Sequence, residues 1–549
     1  MWFINSLTPV HTQILLYTSL LFLIVFIVML ADKIKLAAPI LLVIAGLPLG
    51  FVPGLRNIHI DPEMIFLIFL PPLLYEAAWN TSWKDLWKWR RVVCSFAFLI
   101  VIVTSCVIAF AANSLIPGFT LATGFLLGGI ISPPDALAAS NVLKNIKVPK
   151  RFVSIVEGES LLNDATSLVI FRFALAAVLT GQFVFREAAI SFVLVIVLGI
   201  AIGIGVAIIF YSIHRWMPTT ANIDIVLTFI TPYAMYMAAE AFHFSGVLAV
   251  VSGGLYLSAR RQSMLTHRSR MQAINVWQAV AFVLNNFIFI LIGLAFPVII
   301  QSLGQDGIGP AIKYSLLITA ILIATRLVST YGATAWTIFI SRFITVADSR
   351  PGWKAPLLLG WTGMRGVVSL AAALSIPMTL QSGLPFPQRN LILFITFTVI
   401  IVTLVLQGLT LPALVKWANM TDPDYTMPVR QQTQLIRKKL SVSAIKMLNE
   451  KYAAQVEQNS LVKALCERFS AEKNLIEEQI GANNQQVTDQ QAGEFQAIMM
   501  DVLKEQRSLL LTFNKKENVP DDIIRRQLEL LDLEEEKIRR QRVSPTDNE

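Results

Sequence analysis

Three cysteines in 549 residues cannot staple a fold, and Cys94, Cys106 and Cys466 show no metal-ligand spacing. We read all three as reduced packing residues. Charge is also scarce. Only 15% of the chain is Asp, Glu, Lys or Arg, against about 25% in an ordinary soluble domain. Hydrophobic residues make up 55% and mean hydropathy is +0.62, which excludes a simple globular protein. Residues Met1 to Val10 carry no basic stretch, so a cleaved signal peptide is not expected and targeting falls to the first apolar helix. There is no His-Glu-x-x-His pair and no nucleophile-elbow glycine–serine run, so a membrane-embedded enzyme is the weakest reading. No cofactor is expected. A tandem pore-loop repeat is missing as well, which argues against a channel.

What is present is a polytopic membrane protein followed by a soluble tail. The net charge of +9 divides into +12 over residues 1–420 and −3 over 421–549. The positive excess therefore belongs to membrane loops, and no nucleic-acid partner is implied. These boundaries give a transmembrane domain, 1–420, and a cytoplasmic helical domain, 421–549.

About thirteen apolar segments reach spanning length, near 12–31, 36–53, 63–79, 91–112, 119–142, 152–180, 187–213, 222–241, 244–260, 272–300, 309–340, 355–378 and 390–416. The odd-numbered connections between them hold 18 Lys and Arg; the even ones hold Arg56, Arg186 and Arg389, with Lys313 at a helix edge. Basic loops stay cytoplasmic. The N-terminus is thus expected outside and the tail inside, in the plasma membrane. In the tail, Leu435 to Tyr452 reads as an amphipathic helix. Pro520-Asp521-Asp522 reads as a helix start, and Gly481 to Gln491 as a polar loop.

Two segments are broken at their centres. The fifth contains Gly128-Gly129-Ile130-Ile131-Ser132-Pro133-Pro134-Asp135, whose successive prolines remove two backbone donors. The twelfth contains Gly360-Trp361-Thr362-Gly363-Met364-Arg365-Gly366. Backbone freed at membrane depth is tolerated only against protein or a water-filled cavity. The breaks lie seven helices apart, so the two segments run in opposite directions, as inverted repeats framing a site do. The third segment, with Leu70-Pro71-Pro72-Leu73-Leu74-Tyr75-Glu76, reads as another proline-broken helix.

The sixth segment carries the chemistry. Glu157-Gly158-Glu159-Ser160-Leu161-Leu162-Asn163-Asp164 sits between apolar flanks. A carboxylate near the bilayer centre costs several kcal/mol, roughly 3 on insertion scales, and marks an ion or proton path by default. With Arg151 at the surface, a rise of 1.5 Å per residue puts Glu159 roughly 12 Å and Asp164 roughly 20 Å deep. Ser160 and Asp164 share one ridge, and Glu159 and Asn163 the next. A carboxylate held from bulk water can take either a proton or a small hard cation. We assign Asp164 as ion and proton carrier. Asn163, Ser160 and the broken-helix groups around Ser132 support it. Arg365, a buried guanidinium in need of a partner, is expected to cross to Glu159 and leave Asp164 free. Asp135, after Pro133 and Pro134, is expected to cap the restarting half-helix, with direct contact to the ion as the second reading. Arg172, Glu240 and Arg326 are expected in buried pairs. Glu76 could shape an access funnel, and Asn285-Asn286 could bond helices together.

Four of these motifs together resemble the monovalent cation:proton antiporter-1 family, the sodium/proton exchangers. Gly158 to Asp164 resembles its signature, Met364-Arg365-Gly366-Val367-Val368-Ser369-Leu370 its arginine helix, and Leu70 to Glu76 its third-helix motif. Asp135 lies 24 positions before Glu159, as the family's fifth-helix aspartate does. The resemblance covers about residues 10–417. It implies the all-α antiporter fold with a core and a dimerisation part, a homodimer, and electroneutral Na+ (or Li+) for H+ exchange by an elevator-like movement. It also implies Asp164 as the carrier, with Asn163 and Glu159 beside it and Arg365 paired to Glu159. One departure stands out: Pro134 precedes Asp135 and Ala136 follows, so no side-chain hydroxyl comes from that position and Ser132 or backbone carbonyls replace it. A K+/H+ antiporter on the same scaffold is the close alternative, and a cation channel the alternative of another class.

Overall fold

Each apolar segment of the sequence folds as a helix or as two half-helices in the computed structural model. The structure describes residues 9–52, 62–143, 146, 148–181, 185–303, 307–343, 352–380, 383–420, 429–481, 485–513 and 521–541. The first three helices are α1 (Pro9–Ile34), α2 (Ala38–Leu49) and α3 (Pro62–Asn80). Next come α4 (Trp83–Leu115) and the two halves of the fifth segment, α5 (Leu121–Ile131) and α6 (Ala136–Leu143). The long helix α7 (Lys150–Thr180) is followed by α8 (Phe185–Trp216), α9 (Ala221–Glu240), α10 (Gly246–Met264), α11 (His267–Leu303) and α12 (Ile308–Ile340). The twelfth segment divides into α13 (Lys354–Trp361) and α14 (Val367–Leu374), and α15 (Arg389–Ala418) closes the unit. Among the described residues eight helical stretches are long and apolar enough to cross a membrane: seven single helices and the α5–α6 pair, Leu121–Leu143.

The starts of several helices are written in side chains. Ser82 accepts from the amide of Asp85 at the head of α4, Thr120 and Thr123 form a capping box on α5, and Ser245 caps α10. Helices approach closely where glycine allows it. A Cβ on Gly46 of α2 would stand 2.9 Å from the Cα of Gly293 on α11, and one on Gly128 of α5 would stand 2.6 Å from the Ser105 carbonyl on α4. Lipid gives helices no hydrophobic reason to associate, so such backbone contact is a main source of attraction.

The expected break in α3 is absent: the helix runs through Pro71 and Pro72. The carbonyl that Pro72 cannot serve is that of Ile68, four residues back, and the Tyr233 hydroxyl of α9 donates to it at 3.0 Å. A neighbouring helix thus repairs the ladder. Asn286 does not join helices either; its side-chain amide donates to the Phe282 carbonyl of its own helix at 2.7 Å.

The buried apolar residues form two clusters. One runs through α1, α2, α4 to α7 and α11 to α15, with Leu73 of α3; the other gathers most of α3, α8 to α10 and the start of α11 around part of α7. Beneath the second cluster lies a polar knot. His214 and Asp224 meet at 2.8 Å, and the Ser269 hydroxyl donates to the other Asp224 oxygen at 2.6 Å.

The chain divides into two units, Met1–Thr421 and Asp422–Glu549. The second is helical throughout its described residues: α16 (Val429–Lys451), α17 (Ala453–Gln458), α18 (Ser460–Gly481), α19 (Gln485–Phe513) and α20 (Asp521–Gln541). The polar loop expected over 481–491 is therefore shorter, because α19 is already helical at Gln485. Helix α20 begins at Asp521, where the acidic pair places it.

Candidate functional site

The two interrupted segments meet at their breaks. At 2.7 Å the Asp135 amide donates to the Met364 carbonyl, so each chain completes the other's unpaired backbone. Two half-helices end here, α5 and α13, and two begin, α6 and α14. Helix ends carry partial charge, negative at C-termini and positive at N-termini. The side chains match this pattern. Asp135 accepts from the Leu137 amide at 2.8 Å, capping α6 as expected, and its carboxylate also lies against Gly366 at the start of α14. A methyl group on Gly366 would collide with that carboxylate, so glycine is required there by contact. Arg365 serves the opposite ends. It is fully buried and donates to the carbonyls of Ile131 at 2.9 Å, Ser132 at 3.3 Å, and Gly363.

The expected pair of Glu159 with Arg365 does not form. Glu159, 1% exposed, takes both guanidinium nitrogens of Arg326 on α12, at 2.7 and 2.9 Å. The reason is local backbone chemistry. Arg365 stands in a break, where carbonyls released from helical bonding accept its protons. Arg326 stands within an unbroken helix whose carbonyls are used, and only a carboxylate can neutralise it. Arg326 also reaches the Leu359 carbonyl at 3.3 Å. Gly363 lies against both arginines, with no side chain to separate them. Glu159 is thus bonded as a structural pair, and Asp164 is left out of it.

A cavity of about 270 Å³ opens beside Asp164. It is walled by α3, the Pro133–Pro134 break, α6, α7 and α14. Asp164 is 8% exposed and accepts no hydrogen bond among the described residues. Asp135 and Ser160 line the same space, and the Ser160 hydroxyl accepts from the Ala136 amide at 3.1 Å. From Asp164 and Val367 the cavity reaches Asn80 and Thr81 at the C-terminal end of α3. Glu76 and Glu157 line this outer stretch, so four carboxylates share one hollow. The expected funnel role of Glu76 has its geometry here. Glu157 was visible in the sequence only as a member of the acidic run.

Two other expected members stand back from the cavity. The Asn163 amide donates to the Pro134 carbonyl at 2.9 Å and so clamps the break to α7; its Oδ1 has no partner among the described residues. The Ser132 hydroxyl does not face the cavity but meets Ser105 of α4 at 3.0 Å. Ser132 lies one turn before the restart, where α5 still packs on α4, and that packing turns it away. Arg172 and Glu240 do pair, at 2.6 and 2.7 Å, but with side chains 44% and 29% exposed rather than buried.

The arrangement holds Asp164, a deep carboxylate free of ion pairs among the described residues, next to opposed half-helix ends and reached through an acidic passage. It can bind one small cation or one proton at a time. Among the described residues no cluster of three or more His, Cys, Asp and Glu side chains is arranged to hold a metal.

A family model described as "Sodium/hydrogen exchanger, transmembrane" matches residues 19–417. A Na(+)/H(+) exchanger of Mycobacterium tuberculosis, itself named as uncharacterised, is 32% identical over 521 residues, 92% of each chain. The sodium, potassium, lithium and rubidium/H(+) antiporter of Bacillus pumilus is 33% identical over 423 residues, covering 75% of this chain and 62% of that one. Among solved structures, the sodium proton antiporter MjNhaP1 of Methanocaldococcus jannaschii matches with a TM-score of 0.59 over 74% of this chain and 98% of that one. At 19% identity this likeness shows the fold alone, the all-helical fold of that antiporter.

Proposed function

The chain belongs to the sodium/hydrogen exchanger family, and from that premise we propose that it exchanges Na+ or Li+ for H+ electroneutrally across the plasma membrane. Asp164 carries the proton and the cation in turn. The observation that carries this reading is the deep, unpaired Asp164 at the head of a cavity bounded by both helix breaks. Bound cation excludes the proton, and bound proton removes the charge that holds the cation. Each therefore drives the other's release on the opposite side.

The chain's own groups divide the work. Ser160 and Asn163 hold the break against α7 and keep oxygen atoms next to the carrier. Asp135 and Arg365 balance the half-helix ends so that Asp164 faces no fixed counter-charge. The Glu159–Arg326 pair anchors α7 to α12. Glu76 and Glu157 concentrate cations at the mouth. By the loop charges the mouth at Asn80 is cytoplasmic, the N-terminus lies outside, and the helical domain 421–549 is cytoplasmic. The molecule works as a homodimer, each copy with its own site.

A K+/H+ exchanger is the second reading. It is favoured by the Bacillus pumilus relative, whose name includes potassium and rubidium, and by the lack of a side-chain hydroxyl next to Asp135. Proteoliposomes loaded with a pH-sensitive dye separate the two: Na+ and Li+ should collapse the proton gradient and K+ should not. In the same vesicles Asp164→Asn should lower exchange to the background of empty liposomes while inserting normally. Exchange at the original rate by that variant would remove Asp164 as carrier.

A further inference from the structure

The cavity at Asp164 holds one polar group to which the exchange reading gives no task. Ser369, on α14, lines its wall and is 2% exposed, and its hydroxyl makes no hydrogen bond among the described residues. A buried serine or threonine within a helix ordinarily turns its hydroxyl back to a carbonyl one turn earlier. Ser315, Thr319 and Thr330 of α12 do so. So does Ser375 at the end of α14, at 2.8 Å from the Ala372 carbonyl. For Ser369 that carbonyl would be the one of Arg365 or Gly366. Both lie in the break, and Gly366, with φ −142° and ψ −141°, is outside the helical range. The hydroxyl is left to the cavity.

The two breaks are built alike. The Ala136 amide donates to the Ser160 hydroxyl of α7 at 3.1 Å, and the Arg365 amide to the Thr403 hydroxyl of α15 at 3.2 Å. Each break is thus met in the same way by the long helix that follows it, as the halves of an inverted repeat are. Four residues beyond those amides stand Ser140 on α6 and Ser369 on α14, and both line the cavity. Four residues beyond those hydroxyls stand Asp164 and Gln407. Gln407 is fully buried, and neither its side-chain oxygen nor its nitrogen has a partner among the described residues. The second half therefore carries an amide where the first carries the acid, and what it presents to the cavity is a hydroxyl.

Hard cations take oxygen ligands. No hydroxyl stands beside Asp135, since Pro134 precedes it and Ala136 follows, and Ser132 turns to Ser105 instead. The Asp135 carboxylate lies against Gly366, three residues before Ser369. Those two positions share a face of α14, roughly 5 Å apart along its axis. We propose that Ser369 is a specificity-determining residue of the exchange, its hydroxyl oxygen joining the Asp164 carboxylate at the bound monovalent cation. This rests on Asp164 as the carrier. A neutral oxygen stabilises the cation and adds nothing to the hold on the proton, so Ser369 acts on one of the two competing ions only.

Proteoliposomes of the full chain, loaded with a pH-sensitive dye, test this by the shape of the response. Proton movement is followed against the concentration of whichever of Na+, Li+ or K+ drives it, at several pH values. Ser369→Ala should raise the half-saturating cation concentration by roughly fivefold, the worth of one neutral hydrogen-bonding group. It should do so by the same factor at every pH and leave the maximal rate unchanged, because a competing proton multiplies every apparent KM alike. Ser369→Thr, which restores the hydroxyl, should recover most of the lost affinity. Ser375→Ala, which removes a hydroxyl already bonded within the same half-helix, should change nothing. An unshifted Ser369→Ala, equal shifts in the Ala and Thr variants, or an equal shift in Ser375→Ala would each overturn the proposal. A shift that varies with pH, or a fall in maximal rate alone, would mark Ser369 as structural and overturn it too. If none of the three cations moved protons through the unsubstituted protein, the exchange reading itself would fall.

Discussion

Glu159 and Arg326 are buried to within 2% of full enclosure and hold each other through two hydrogen bonds. Removing one partner leaves the other charged and alone, at a cost of about 3–5 kcal/mol. Glu159→Gln should therefore sharply lower the unfolding temperature of the detergent-purified protein, followed by size-exclusion after heating. Glu159→Gln with Arg326→Gln should recover part of the loss, since two neutral amides can bond. An unchanged temperature in the single variant would mean that the pair contributes nothing. The sequence showed both buried arginines and the acidic run, but not which pairs with which. That choice depends on whether the surrounding carbonyls are already bonded. Arg365 is in a break and finds three carbonyl acceptors there; Arg326 is in a regular helix, reaches only the Leu359 carbonyl among the described residues, and needs the carboxylate. A reader of residues sees two equal guanidiniums until backbone bonding is known. Asp164 itself was legible, because an acid in an apolar helix has few uses and its neighbours at four-residue spacing fall on known ridges.

Helices were the easiest elements to read and their interruptions the least certain. The thirteen apolar segments all fall on helices or half-helix pairs, since spanning length and loop charge are written along the chain. The break of the fifth segment followed from Pro133-Pro134 and that of the twelfth from its glycines. The same proline rule failed at Pro71-Pro72, because its exception comes from another helix: Tyr233 of α9 supplies the missing donor to Ile68. This gives a double-mutant test. Tyr233→Phe should destabilise the protein by about 1 kcal/mol, an ordinary hydrogen bond. In a Pro72→Ala background, where the chain provides its own amide, the same change should cost nothing. Equal costs in both backgrounds would show that the hydroxyl is not repairing the helix. The cross-link between the two breaks was not legible at all. The Asp135 amide and the Met364 carbonyl are 229 positions apart in the chain, and no local pattern announces their meeting.

For the whole molecule, the division of charge into +12 and −3 corresponds to two different ways of holding helices together. The first unit relies on close backbone contact and buried pairs, the second on ion pairs at its surface. In the second, Lys438 on α16 meets Glu477 on α18 at 3.0 Å, and Arg507 on α19 meets Glu535 on α20 at 2.8 Å. The Arg507 guanidinium, followed by that of Arg539, holds the Glu535 carboxyl below the usual range, and Lys438 does the same for Glu477. A carboxyl whose pKa is lower in the folded state adds stability that is complete above its unfolded value, about 4.3. That stability is lost as pH falls through the lower folded value. Limited proteolysis of the full chain should therefore find residues 429–541 resistant at pH 7 and cleaved progressively faster below about pH 4.3. Cleavage rates that did not change between pH 7 and pH 3 would exclude these pairs as a source of order. In the membrane unit, one contact has a kinetic meaning. Arg172 lies eight residues beyond Asp164 on α7 and grips Glu240 of α9, a helix of the other packing cluster. A shift of α7 along its own axis by a single 5.4 Å pitch would part that grip. In the proposed exchange, a movement of α7 that carries the ion would also have to release this clasp, and dissolved salt, by screening so exposed a pair, would lower the threshold for it.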